Sequence, residues 1–110
     1  MDIFSELAEK MRGYSKIDKA EIITHSVPSS GISKLKLRDH LMEIGMILEF
    51  DEEASIFVVA INAGFGNRNP AIVGLMLRDE ILYAAAYAKE GLIRQGTAQK
   101  ALQKVLALFD

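Results

Sequence analysis

The sequence predicts one α+β domain, in which an antiparallel or mixed sheet of three to five strands packs against N-terminal, central and C-terminal helices. Both ends of the chain carry apolar residues at helical spacing, and short runs rich in β-branched residues lie between them. With 110 residues the chain is about one domain long. We therefore expect a single domain spanning residues 1–110.

The first predicted element is an amphipathic helix near the N-terminus. Asp2 is placed to cap it and Gly13 to end it. Its apolar positions recur at helical spacing: Ile3, Phe4, Leu7, Ala8 and Met11. A strand is predicted next in "AEIITHSV", which is short, rich in β-branched residues and closed by Pro28. A loop, "PSSGIS", follows it.

A helix and a hairpin are predicted in the centre of the chain. Ser33 caps the helix, "KLKLRDHLMEI", and Gly45 ends it. Its expected apolar face comprises Leu35, Leu37, Leu41, Met42 and Ile44. The next segment, "MILEFDEEASIFVVAI", has the pattern of a β-hairpin whose acidic turn discourages edge-to-edge association. Because residues 56–61 are all apolar, we expect this strand inside the sheet, covered on both faces.

Residues 70–90 allow two interpretations. Asn69 and Pro70 suit the start of a helix, and Gly91 suits its end. Such a helix would, however, carry apolar residues on nearly all of its faces, which a domain this small has little room to bury. We favour a second hairpin, with "AIVGLML", a turn at "RDE" and "ILYAAAYA". It places the two tyrosines on one face and smaller residues on the other: Tyr83 and Tyr87 against Leu82, Ala84 and Ala86. Gly74 is then a strand glycine near an aromatic neighbour.

The last predicted element is an amphipathic helix, "AQKALQKVLALFD", capped by Thr97. Its expected buried stripe comprises Ala98, Ala101, Leu102, Val105 and Phe109.

Composition limits the chemistry that this chain can perform. It contains no cysteine, which excludes disulfides, thiolate zinc sites and thiol nucleophiles. Its formal net charge is −2, which disfavours nucleic-acid binding. The N-terminal residues lack the pattern of a secretory signal, and no apolar run reaches the length of about 18 residues that a membrane span requires. We expect a cytoplasmic protein that does not enter the membrane.

The loop "NAGFGNRNP", residues Asn62–Pro70, has the residues of an anion site. Glycines expose backbone N–H groups, and an arginine can pair with phosphate or carboxylate. The candidate ligand-binding residues are Gly64, Gly66, Asn67, Arg68 and Asn69. The spacing matches neither the dinucleotide-binding nor the P-loop pattern, and the same residues also suit a sharp connection without a ligand.

The two histidines do not complete a catalytic or metal-binding pattern. His25 lies beside Ser26 without the strand–turn–helix signature of a serine nucleophile. His40 and Glu43 share a helical face, but a metal needs more converging ligands. We therefore predict no metal, no cofactor and no catalytic residue, and consider an enzyme less well supported than a binding protein.

A DNA-binding interpretation comes from the second helix. The helix bears Lys34, Lys36, Arg38 and His40 and precedes a hairpin, which is the order of a recognition helix and wing. Asp39 and Glu43 dilute this positive charge, and a loop stands where a positioning helix is required. Nucleic acid is therefore an unfavoured partner.

The apolar hairpin predicted at residues 70–90 leads to the main functional hypothesis. With Met76, Tyr83 and Tyr87 it could line a small pocket or a dimer face, and its two apolar faces exceed what three short helices readily cover. We expect a non-catalytic protein-interaction or regulatory module that forms a homodimer. The alternative is a small-molecule or phosphate-binding domain that uses the Asn62–Pro70 loop.

Overall fold

The computed structural model describes residues 2–14, 22–62, 70–88 and 96–109. These residues form an α+β domain with three α-helices and a five-stranded antiparallel sheet, which confirms the predicted fold class. The elements in chain order are α1 (Ile3–Arg12), β1 (Ile23–Pro28), α2 (Lys34–Ile44), β2 (Met46–Asp51), β3 (Ile56–Ile61), β4 (Ala71–Arg78), β5 (Ile81–Tyr87) and α3 (Thr97–Leu106), followed by a 3-10 turn, Ala107–Phe109.

The strands are ordered β1-β5-β4-β3-β2 across the sheet. Strands β2 to β5 form a meander in which each strand pairs antiparallel with the next. The first strand of the chain, β1, pairs with the last, β5. Helix α2 therefore connects the two opposite edges of the sheet, and β3 lies inside it as predicted.

The hairpin interpretation of residues 70–90 is confirmed for the part that the structure describes, and the helix interpretation is wrong. Strands β4 and β5 pair without a register shift from Ile72 opposite Tyr87 to Arg78 opposite Ile81. Asp79 and Glu80 form the turn with φ values of 53° and 63°. Two positive φ values match the right-handed twist of the flanking strands, which is why this two-residue connection closes the hairpin.

Helix α1 covers one face of the sheet. Its Leu7 and Met11 are fully buried with Val58 and Met76. Gly74 of β4 lies directly beneath the helix, where a Cβ atom would be 3.0 Å from the Met11 sulfur. The glycine thus makes room for a methionine of α1, and Tyr83 and Tyr87 on β5 are its diagonal neighbours on the same face.

Helices α2 and α3 cover the opposite face. The core on this side joins Leu37 and Leu41 of α2 and Val105 of α3 to strand residues that include Phe57 and Leu75. All five side chains are fully buried. The sheet thus lies between two helical layers, which explains why its inner strands are apolar on both faces.

The predicted apolar face of α2 is only half right. Leu37 and Leu41 are buried, whereas Leu35 is 50% and Met42 is 63% exposed. Positions 37 and 41 are one turn apart, and positions 35 and 42 lie two turns apart on a different stripe of the helix. Only the first stripe faces the sheet.

The helix starts agree with the sequence in two of three cases. Asp2 accepts a hydrogen bond from the Ser5 backbone N–H at 2.9 Å, and Ser33 accepts one from Lys36 N–H at 3.1 Å. The third prediction is wrong by one residue, because the N-cap of α3 is Gly96 and Thr97 is its first helical residue. Gly96 has a φ of 67°, a conformation that glycine adopts without steric cost.

The fold removes the original reason for expecting self-association. Met76 is fully buried and Tyr87 is only 6% exposed, so neither lines an open pocket or a dimer face. Helix α1 on one side and helices α2 and α3 on the other cover the hairpin within one copy of the chain. Tyr83 is half-buried against Phe4 of α1, so little of the hairpin remains for a second copy to cover.

Candidate functional site

The five residues predicted to bind a ligand, Gly64, Gly66, Asn67, Arg68 and Asn69, lie outside the described residues. The two ends of their loop, Asn62 and Pro70, are exposed and connect β3 to β4. The Lys104 ammonium donates a hydrogen bond to the Asn62 carbonyl at 2.9 Å. Helix α3 therefore contacts the start of this loop.

The histidines are not brought together with catalytic partners. His25 and Ser26 are adjacent in β1, so their side chains point to opposite faces of the sheet. His40 is half-buried on α2. Within the described ranges, no group of three or more His, Asp or Glu side chains could hold a metal ion.

Two of the basic side chains of α2, Lys34 and Arg38, have partners within the chain. Lys34 donates to the Glu52 carbonyl at 2.8 Å, and Arg38 pairs with Asp39 at 3.1 Å. The Asp39 carboxylate offsets the charge of Arg38, whereas the Lys34 ammonium, bonded to a neutral carbonyl, keeps its charge.

An ionic cluster attaches the end of α1 to β2. The Lys10 ammonium lies 2.9 Å from Glu49 and 3.5 Å from Asp51, and the Tyr14 hydroxyl donates to Glu49 at 2.8 Å. The hydrogen bonds from Lys10 and then Tyr14 lower the pKa of Glu49, and the bond to Glu49 raises the pKa of Lys10. The pKa of Asp51 is lowered mainly by the Ala54 backbone N–H. Part of the acidic "EFDEEAS" segment thus stabilises helix docking.

Two open cavities lie on the described surface. One, of about 330 Å³, is lined by Ser29, Gly31, Lys34 and Arg78 among others, and the acids of the β4–β5 turn balance its two cations. The other, of about 320 Å³, is lined by Glu6, Glu9, Lys10 and Ile56. Each mixes charges of both signs, and neither selects one class of ligand.

The two edges of the sheet differ in chemistry. Strand β2 carries Glu49 and Asp51, and its pairing with β3 shifts between Ile47 and Glu49, which marks a bulge. The Tyr14 hydroxyl also donates to the Leu48 carbonyl at 3.3 Å. Charges, bulges and covering side chains are the devices by which proteins block strand addition. Strand β2 is therefore a protected edge.

Strand β1 lacks charges and a bulge, and the one blocking residue within it is Pro28 at its end, which has no N–H to donate. Its sequence, "ITHSVP", contains no Asp, Glu, Lys or Arg, and it pairs with β5 residue by residue from Ile23 opposite Ala86 to Pro28 opposite Ile81. Within the described part of the chain, no strand pairs with its outer side. We call the outer side of residues 23–28 the β1 edge. Its central residues, Thr24, His25 and Ser26, are exposed.

Among the described residues, the outward backbone groups of the β1 edge have no strand partner. The Ser29 N–H donates to the Glu80 carbonyl at 2.9 Å, so Ser29 faces β5. Because inward and outward residues alternate in an antiparallel strand, Thr24 and Ser26 direct their N–H and C=O groups away from β5. Sequence reasoning identified the strand but not this edge, because its neighbours depend on the strand order.

Three apolar side chains of α2 and the start of β2 are exposed. Leu35, Met42 and Met46 are 50%, 63% and 66% exposed. Single exposed apolar residues are common on folded proteins and do not by themselves mark a binding surface.

The fold and these surfaces define a small α+β domain with one protected and one open sheet edge. No helix among the described residues is long and apolar enough to span a membrane. Comparisons with protein-family models, curated proteins and solved structures found no match to this chain.

Proposed function

We propose that this protein is a non-catalytic protein-interaction module that functions as a homodimer. The open β1 edge is the observation that carries this proposal. An exposed strand with unpaired backbone groups binds another strand by adding it to the sheet. Such an edge is hazardous unless a specific partner covers it, and β1 has neither charge nor bulge to keep other chains away.

The contrast with β2 supports this interpretation. At that edge Glu49 is held by Lys10, and the Leu48 carbonyl accepts a hydrogen bond from Tyr14. The molecule thus blocks one edge with several side chains and leaves the other uncharged. This asymmetry is expected if β1 is a binding surface.

The oligomeric state of the purified full-length chain tests the proposal. We expect native mass spectrometry and sedimentation equilibrium to show a dimer whose fraction rises with concentration, as mass action requires. A strictly monomeric protein from micromolar to near-millimolar concentration would contradict the proposal. The same mass spectrum reports a retained small molecule, and a stoichiometric adduct on a monomer would favour the ligand-binding alternative instead.

A further inference from the structure

We infer that two copies of this chain pair antiparallel along their β1 edges, with His25 of each copy at the two-fold axis. The two five-stranded sheets then form one continuous sheet. This inference rests on the self-association proposed above and specifies its surface, its register and its contacts.

The backbone restricts the possible pairings. Thr24 and Ser26 point their N–H and C=O groups outward, so an antiparallel partner must place outward-facing residues opposite one another. With His25 on the axis, Thr24 of one copy lies opposite Ser26 of the second copy. Each of these residues then exchanges two hydrogen bonds, and the central outward groups of both strands are paired.

Side-chain matching selects this register. Ile23 and Val27 lie on the sheet face covered by α2 and α3, where they are half-buried. The proposed pairing sets Ile23 opposite Val27 of the second copy on that face, and the two small hydroxyl side chains opposite each other on the α1 face. Both are favourable cross-strand pairs. Moving to either adjacent allowed register sets His25 opposite Ile23 or Val27, which breaks the matching.

The charge pattern permits a second copy as the occupant. Near a two-fold axis a charged side chain lies close to the same residue of the other copy, and like charges on opposed strands are destabilising. The β1 strand has no Asp, Glu, Lys or Arg, so it can lie against itself. The same contact through β2 would bring Glu49 and Asp51 against their own copies.

Single-cysteine cross-linking tests the register, since the natural chain contains no cysteine. Directly opposed residues of a non-hydrogen-bonded pair have Cα atoms about 4.5 Å apart, which permits a disulfide. We expect His25→Cys to form a covalent dimer under mild oxidation. In Ser26→Cys the two cysteines are displaced along the strands, more than about 7 Å apart, and should not be bridged. Met46→Cys, 66% exposed at the β2 edge, is the second control.

The outcomes distinguish failure of the proposed β1 pairing from failure of the proposed self-association. A wild-type dimer in which His25→Cys fails to cross-link, or in which either control cross-links as fast, overturns the proposed pairing and leaves self-association standing. A monomeric wild type overturns both. Preferential cross-linking of His25→Cys, measured by non-reducing electrophoresis and intact mass, supports the pairing.

A charge placed on the axis gives an independent measurement. His25→Asp sets two carboxylates directly opposite each other, and we expect the dimer dissociation constant to rise at least about tenfold. His25→Asn keeps the position polar and uncharged and should change the constant little. His25 is exposed in the single chain, so both variants should fold, as circular dichroism can verify. Equal effects of the two substitutions, or no effect of Asp, would overturn the assignment of His25 to the axis.

Discussion

At the scale of single residues, Gly45 shows how space can require a glycine where conformation does not. It joins α2 to β2 with a φ of −169°, an extended value open to any residue. A Cβ atom at this position would lie 2.5 Å from the Ala60 carbonyl oxygen and 3.0 Å from Ile61. The junction of helix and strand is therefore too close to its neighbour for a larger residue.

We expect Gly45→Ala to lower the free energy of unfolding by about 1–3 kcal/mol, because the backbone of β3 must move. Chemical denaturation measures this change. Gly13→Ala is the matched control, since its Cβ would lie 3.4 Å from the Lys10 carbonyl and its φ is −64°. That variant should be neutral or stabilised by up to about 1 kcal/mol. Equal stability of the two variants would contradict the described junction.

Glu49 gives stability a dependence on pH. Its pKa is lowered from 4.5 by hydrogen bonds from Lys10 and Tyr14, so the folded protein binds this proton less tightly than the unfolded chain. The resulting stabilisation is present above 4.5 and is lost as the pH falls through the lower folded value. The raised pKa of Lys10 has its effect at high pH. The stabilisation from its contact with Glu49 is lost as the pH rises above 10.5.

We expect Glu49→Gln to be less stable than wild type at neutral pH, with the difference disappearing in acid. Unfolding free energies across the pH range measure this. Glu53→Gln, an exposed substitution in the β2–β3 turn, is the control and should change stability little at any pH. A difference between Glu49→Gln and wild type that persists unchanged in acid would mean that the ionic cluster is not its source.

At the scale of elements, α2 separates core residues from surface residues on one short helix. Leu37 is fully buried and Leu35 is 50% exposed. We expect Leu37→Ala to cost about 2–5 kcal/mol, because it leaves a cavity under the helix. Leu35→Ala should cost about 0.5 kcal/mol or less. Thermal and chemical unfolding compare the two, and similar losses would show that α2 does not present the described face to the sheet.

The elements were largely predictable because each has a local signal. Asp2 and Ser33 cap their helices, and the apolar runs around "DEEAS" form the expected hairpin. The start of α3 at Gly96 was missed because a left-handed cap leaves no apolar pattern. The face of α2 was misjudged because apolar residues occupy two stripes of the helix, Leu37 and Leu41 on one and Leu35 and Met42 on the other. Which stripe meets the sheet depends on tertiary packing.

At the scale of the whole molecule, the strand order could not be predicted from the sequence. Strand β1 pairs with β5, and His25 lies opposite Ala84 across a long separation in the chain. No local pattern marks such a pairing, so the β1 edge became visible only in the structure. The Asn62–Pro70 loop was the predicted site, and its ligand-binding candidates from Gly64 to Asn69 lie outside the described residues. By contrast, the three helices and the α+β class could be predicted from the spacing of apolar residues alone.

The bulge between Ile47 and Glu49 limits how far assembly can proceed. A sheet with two open edges can add copies without end, which leads to fibres. This sheet has one open edge. A two-fold pairing through β1 covers that edge in both copies. Strand β2, at the opposite edge, then blocks the addition of a further copy. If two copies pair as proposed, no open edge remains, and association stops at a dimer rather than continuing to a fibre.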